Sequence, residues 1–267
     1  MEIIQITSAD DPRLQPFTGL KDKLSAKRAG MFIAEGEMVV QKLLKSSYKT
    51  HAILLSKRRA KKPVENLQAG VAIYCLEDEM MERIVGFKFN RGIMACGLRA
   101  PQPEIHEILE NSGPVKTVAV CPELNDATNL GLMIRHCAAF GVTALFLGQQ
   151  SCDPFSRRVI RVSIGSTFFL PVCQPDDLFS SLKQLQEDGF ELYATVLDQD
   201  VKKLQGVKRG KKLALLFGNE GRGLSLQFQD ICGERITIGM PGTADSLNVS
   251  TAAAIFLYHF SQQENFR

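Results

Sequence analysis

Residues 115–147 read VKTVAVCPELNDATNLGLMIRHCAAFGVTALFL. Val115–Val120 is a short run of β-branched and small apolar residues, the pattern of a buried strand. Leu130–Phe140 then spaces Leu132, Met133, Cys137 and Phe140 three to four positions apart, which predicts a helix. Gly141 supplies its C-cap, because glycine alone adopts the left-handed conformation without steric cost. Val142–Leu147 is a second buried strand. A strand, a helix and a strand in immediate succession, with both strands continuously apolar, imply parallel pairing inside a covered sheet.

Downstream the alternation continues. A basic amphipathic helix is predicted over 154–163, a strand over 168–172 and a helix over 176–187. Strands follow at Leu192–Val196 and Leu213–Phe217, and an apolar helix at Ser246–Phe260. Upstream, residues 98–116 are punctuated by Pro101, Pro103, Gly113 and Pro114, which places a domain boundary near residue 105. Before it, Met38–Leu44 has helical spacing, and His51–Leu55 and Val71–Tyr74 read as strands. The expected organisation is α/β throughout: a small N-terminal α/β domain over 1–104 and a parallel-sheet domain over 105–267.

Composition agrees with a folded, soluble chain. Of 267 residues, 45% are hydrophobic and 23% charged, which excludes disordered, collagen-like and coiled-coil classes. The seven cysteines are scattered and form no C-x-x-C pair, so the expectation is reduced thiols and no metal site. The N-terminus lacks the apolar core of a signal peptide, and no stretch is apolar for long enough to span a bilayer. The expected location is the cytoplasm, with no membrane partner. Net charge is +3, yet the first 104 residues carry +5 and the remainder −2. That asymmetry hints at an anionic partner for the N-terminal part. Lys57-Arg58-Arg59-Ala60-Lys61-Lys62 is either a solvated loop or a set of phosphate contacts.

In parallel sheets ligands gather beyond the carboxyl ends of the strands. Three loops occupy such positions: Glu123–Arg135, Gly218–Leu224 (GNEGRGL) and Ile238–Asn248 (IGMPGTADSLN). The second is neither a dinucleotide fingerprint nor a P-loop. Its three glycines still allow close backbone approach to a ligand. In the third, Asp245 or Ser246 is the expected N-cap of the last helix. The four histidines, His51, His106, His136 and His259, stand apart from the glycine loops, and no Ser–His or Cys–His nucleophile pattern is present.

Together the three loops resemble the motifs of the SPOUT superfamily, in its SpoU branch of tRNA/rRNA ribose 2′-O-methyltransferases. The first motif is matched by Asn129-x-Gly131-x-x-x-Arg135 followed by Ala139-Phe140-Gly141. The second is matched by Phe217–Leu224, and the third by Ile238-x-Met240 with Ser246-Leu247-Asn248-Val249-Ser250. Order and spacing agree across 115–260. Two departures occur: Gly239 stands where the branch commonly has proline, and His136-Cys137 replaces a small Thr-Ala pair. More weakly, Arg28, Phe32 and Glu35-Gly36 resemble the start of a substrate-binding domain, similar to a ribosomal-protein fold, that often accompanies this branch.

The resemblance implies a trefoil knot in the C-terminal domain, with S-adenosylmethionine held by Gly218, Ile238, Met240 and Leu247. It also implies a homodimer, with the site completed near the subunit interface. The substrate would be RNA, with rRNA favoured over tRNA, methylated on a ribose 2′-hydroxyl. Arg135 would be the catalytic cation, assisted by Asn129, Glu220, Ser246 and Asn248. A guanidinium stays protonated, so Arg135 fits charge stabilisation of a developing alkoxide better than proton abstraction. Glu220 could position Arg135, accept a proton or hold its loop.

Overall fold

The computed structural model describes residues 3–18, 30–86, 88–243 and 245–263; Arg28 lies outside them. The chain forms two compact units, Met1–Pro101 with Phe155–Phe169, and Gln102–Pro154 with Leu170–Arg267. The segment 155–169 therefore clusters with the first unit, although it sits in the second half of the sequence.

The first unit is built on five strands, β1 (Ile3–Gln5), β2 (Met31–Glu35), β3 (Thr50–Ser56), β4 (Ala72–Leu76) and β5 (Ile93–Leu98), in the order β1-β4-β3-β5-β2. The β1, β4 and β3 strands run parallel, and β5 is antiparallel to both β3 and β2. Period-two alternation sends Ile53 and Leu55 to one face and Ala52 and Leu54 to the other. On the first face, helix α1 (Glu37–Lys45) buries Val39, Val40, Leu43 and Leu44. Ile160 and Phe168 of the 155–169 segment join that core. On the second face, α2 (Asp78–Val85) contributes Met81, Ile84 and Val85. Each such apolar side chain, fully buried, stabilises by roughly 1.5–3 kcal/mol before entropy is counted.

The second unit carries a seven-stranded sheet in which every pairing is parallel. Its strands are β6 (Lys116–Cys121), β7 (Ala144–Leu147), β8 (Val172–Cys173), β9 (Glu191–Thr195), β10 (Lys202–Lys203), β11 (Lys212–Leu216) and β12 (Glu234–Thr237), ordered β10-β12-β9-β11-β6-β7-β8. In chain order α3 (Ile105–Glu110) precedes β6 and α4 (Ala127–Ala139) joins β6 to β7, whereas α5 (Arg157–Val162) belongs to the first unit. Then α6 (Leu178–Glu187), α7 (Leu226–Asp230) and α8 (Val249–Gln262) complete the chain. Leu182 and Leu185 of α6 cover Val118, Val120, Ala214 and Leu216 on one face. On α8, Phe256 lies 6.1 Å from the Phe217 ring and Phe260 lies 6.0 Å from Tyr193.

Four readings from the sequence differ from the structure. The α4 helix starts at Ala127 rather than Leu130, because Asp126 accepts the Thr128 and Asn129 amides at 2.7 and 2.9 Å. Residues 168–172 do not form one strand: Ser166–Phe168 is a 3-10 turn and only Val172–Cys173 pairs. The α8 cap is Asn248, not Asp245 or Ser246, and α8 starts three residues later than read. The expected helix over 154–163 is confined to Arg157–Val162, with Ser156 as its N-cap.

Candidate active site

All three motif loops leave the carboxyl ends of strands in the second sheet. After β6, the Asp126 cap puts Asn129 in the first turn of α4, where it is buried. After β11, residues 219–223 form a closed hairpin. Asn219 and Gly223 exchange backbone hydrogen bonds at 3.0 and 2.8 Å, and the Gly221 amide donates to Asn219 Oδ1 at 2.9 Å. Gly218 is obligatory there, since a Cβ would lie 2.2 Å from both the Gly223 carbonyl carbon and the Leu224 nitrogen. After β12, the third loop ends at Asn248, the α8 cap.

A directional polar relay joins the loops. The Ser250 amide and hydroxyl both donate to one side-chain atom of Asn248, at 2.9 and 2.6 Å. A backbone N–H can only donate, so that atom must be the amide oxygen. Asn248 Nδ2 then faces Asn129 Oδ1 at 3.0 Å. Asn129 in turn must present its own Nδ2 to the Glu220 carboxylate, to which it donates. Each amide orientation is dictated by the one before it. The order ends on a carboxylate that carries one donor and keeps acceptor capacity. Ser250, only 1% exposed, belongs to the third matched motif, but the sequence reading gave it no role at the site.

Beside the relay lies a cavity of about 590 Å³, within the range of roughly 300–1,000 Å³ usual for small-molecule sites. Gly218, Ile238, Met240 and Leu247 all line it, as do Ser246 and Glu220. Thr195–Asp198, at the end of β9, line it as well. Sequence reading missed them because only the strand order, with β9 beside β11, brings that loop to the cavity. No histidine is among the described lining residues.

Arg135 is not part of the relay. It is exposed on α4 and makes no ion pair or hydrogen bond among the described residues. Around it, Leu132, Ala138 and Ala139 on α4, with Ile255 and Tyr258 on α8, leave a partly apolar face in solvent. Ile255 is 37% and Tyr258 56% exposed. The neighbouring His136 has its pKa lowered, by burial first and also by Arg135, while a Ser250 backbone contact opposes this.

Cysteine chemistry finds no support at the site. Burial pushes the Cys152 thiol up to about 11, with Asp126, Asp153 and Glu220 adding to the effect. Cys121 and Cys137, which is wholly buried, are raised as well. All three are thiols rather than thiolates at neutral pH. Among the described residues no group of three or more His, Cys, Asp or Glu could hold a metal ion, and no helix is long and apolar enough to cross a membrane.

The SpoU rRNA Methylase family model matches residues 116–258, a span that contains all three loops and the relay. The chain belongs to the SpoU rRNA Methylase family. Similarity extends beyond the matched region. An uncharacterized tRNA/rRNA methyltransferase of Mycobacterium bovis is 34% identical, over 97% of this chain and 91% of its own length. The 23S rRNA (guanosine(2553)-2′-O)-methyltransferase RlmP of Bacillus subtilis is 30% identical, over 96% of this chain and 98% of its own. In fold, the chain is similar to an AdoMet-bound rRNA methyltransferase from Sinorhizobium meliloti, with a TM-score of 0.81 and 23% identity over 99% of both chains.

Proposed function

We propose that this protein is an S-adenosylmethionine-dependent RNA methyltransferase that modifies a ribose 2′-hydroxyl, in ribosomal RNA. The observation that carries this reading is the relay from Ser250 through Asn248 and Asn129 to Glu220, which draws functional groups from all three motifs into one polar unit beside the cavity. Family membership and the printed activities of relatives such as RlmP support the same conclusion.

The cavity suits the cofactor. Its walls combine apolar surface from Ile238, Met240 and Leu247 with backbone polar groups around Gly218, the mix that holds an adenosine and a short side chain. When bound, S-adenosylmethionine supplies a methyl group already activated by its positive sulfur. The chain's own residues then have to orient the ribose and stabilise its oxygen as the proton leaves. Arg135 does the second as a fixed cation, since guanidinium remains protonated. Asn129, Ser246 and Asn248 orient through hydrogen bonds, and Glu220 anchors the relay with an oxygen lone pair left to receive a proton. Alignment of this kind lowers the barrier by several kcal/mol. The 2′-hydroxyl itself distinguishes RNA from DNA.

Three further features follow from the same reading. The partly apolar face around Arg135 is the surface of a homodimer, and a second copy seated there completes the site. The C-terminal segment from β11 to α8 forms the trefoil knot of the SPOUT fold. The N-terminal unit grips RNA. Within its basic loop, Arg59 is spent on Glu37 at 2.6 and 2.7 Å and on the Lys62 carbonyl at 2.7 Å. Lys57 pairs with Glu77 at 2.6 Å. Arg58 reaches Asp78 at 3.9 Å and donates to the Asn90 carbonyl at 3.3 Å, so phosphate contact falls first to Lys61 and Lys62. An RNA substrate and free thiols together favour the cytoplasm.

Mapping 2′-O-methyl positions in total RNA from a strain lacking the gene, against its parent, tests the proposal. Loss of one rRNA methyl group is expected. Loss of a tRNA methyl group instead would move the substrate to tRNA, and no loss anywhere would refute ribose methylation.

A further inference from the structure

The cavity wall has an uneven charge. Among its described residues, Asp198 and Glu220 are acidic and Arg222 is the sole cation, so the wall carries one net negative charge. S-adenosylmethionine, with a sulfonium, an ammonium and a carboxylate, carries one net positive charge at neutral pH. The totals complement each other, yet the ligand's carboxylate needs a positive partner inside a wall that is mostly repulsive to it. Among the described lining residues, Arg222 is the one cationic side chain able to provide that.

Its setting suits the task. Arg222 and Glu220 flank Gly221 at the tip of the 219–223 hairpin, whose two backbone bonds and Asn219 side-chain bond fix the loop. Glu220 is occupied by Asn129. Arg222 is exposed and makes no hydrogen bond or ion pair among the described residues. We infer that Arg222 is the carboxylate-binding residue of the cofactor site, taking the amino-acid end of the ligand through a charge-assisted, two-pronged contact. The inference rests on the cofactor reading above. It adds a consequence: the hairpin that holds Glu220 also senses the ligand's carboxylate, so one rigid tip couples cofactor binding to the relay.

The test compares two probes by calorimetric titration. S-adenosylhomocysteine keeps the amino-acid end, whereas 5′-methylthioadenosine has the same nucleoside thioether without it. For Arg222→Ala, affinity for S-adenosylhomocysteine is expected to fall about tenfold or more, with affinity for 5′-methylthioadenosine unchanged. Arg222→Lys is expected to recover part of the loss, because a point charge replaces the fork. Equal weakening of both probes would indicate a disturbed hairpin and overturn the assignment. Unchanged affinity for both, with slower methyl transfer to RNA, would make Arg222 a phosphate contact and also overturn it. If the unsubstituted protein bound neither probe, the cofactor reading itself would fall.

Discussion

Breaking the relay at its middle should damage catalysis far more than stability. Asn129→Ala removes the donor to Glu220 and the acceptor for Asn248 Nδ2. A hydrogen bond to a charged group is worth ~1.5–3 kcal/mol and a neutral one ~0.5–1.5. Glu220 and Asn248 are both exposed, so water replaces much of this in the resting protein. Alanine also gains up to about 0.7 kcal/mol of helix propensity over asparagine. The net loss of stability should be about 1 kcal/mol, or ~2–4 °C in Tm. Water cannot restore the fixed orientation during reaction, so a barrier increase of ~2–4 kcal/mol is expected, a fall in kcat of about 30- to 1,000-fold. The assay is a double-mutant cycle of Asn129→Ala with Glu220→Ala, using transfer of labelled methyl to rRNA. Coupling of ~1–3 kcal/mol is the expected result. Effects that add to within about 0.5 kcal/mol, or an Asn129→Ala enzyme within twofold of the parent, would refute the relay as a working unit.

Other expectations are simpler. Gly218→Ala drives a Cβ to 2.2 Å from hairpin backbone and should cost about 1–3 kcal/mol or more, read as a lower Tm together with lost S-adenosylhomocysteine binding; a parental Tm would contradict the close approach. Glu35, 4% exposed, pairs with Arg157 at 2.8 Å and Arg91 at 3.6 Å, holding the 155–169 segment to the first sheet. Because both arginines retain solvent access, Glu35→Gln should cost ~1–3 kcal/mol in urea unfolding, below the usual range for a broken buried pair; no change would mean the pair is idle. His136 has a lowered pKa in the folded chain, so the unfolded chain binds more protons as pH falls below about 6.5. Stability contributed by neutral His136 is therefore full above that pH and declines below it. His136→Gln should flatten the acid limb of a stability–pH profile, and an unaltered limb would exclude the effect.

Strands β6, β7, β9 and β11 of the second unit were legible as largely apolar runs separated by helices with clear periodicity, whereas β10 (Lys202–Lys203) and β12 (Glu234–Thr237), short and partly charged, went unread. Where the pattern is ambiguous, reading failed for physical reasons. Phe168-Phe169-Leu170 is apolar enough for a strand, but the Ser166–Phe168 turn and Pro171 confine pairing to Val172–Cys173. Asp245, Ser246 and Asn248 can each cap a helix, and only geometry selects Asn248. The amphipathic pattern of 154–163 reveals an apolar face but not its partner, so the association of Ile160 and Phe168 with the N-terminal core was invisible. At the site, Asn129, Glu220 and Asn248 were singled out individually from motif resemblance. Their serial hydrogen bonding depends on amide orientations, and these follow from the backbone N–H of Ser250, which sequence does not display.

The most direct test of the central claim uses the purified protein, S-adenosylmethionine labelled in its methyl group, and rRNA lacking the modification. Nuclease digestion and mass analysis would then locate the label. The account predicts label in a single 2′-O-methylnucleoside, with none when the target ribose is replaced by its 2′-deoxy counterpart. Label on a base, or transfer that persists to the 2′-deoxy substrate, would contradict it.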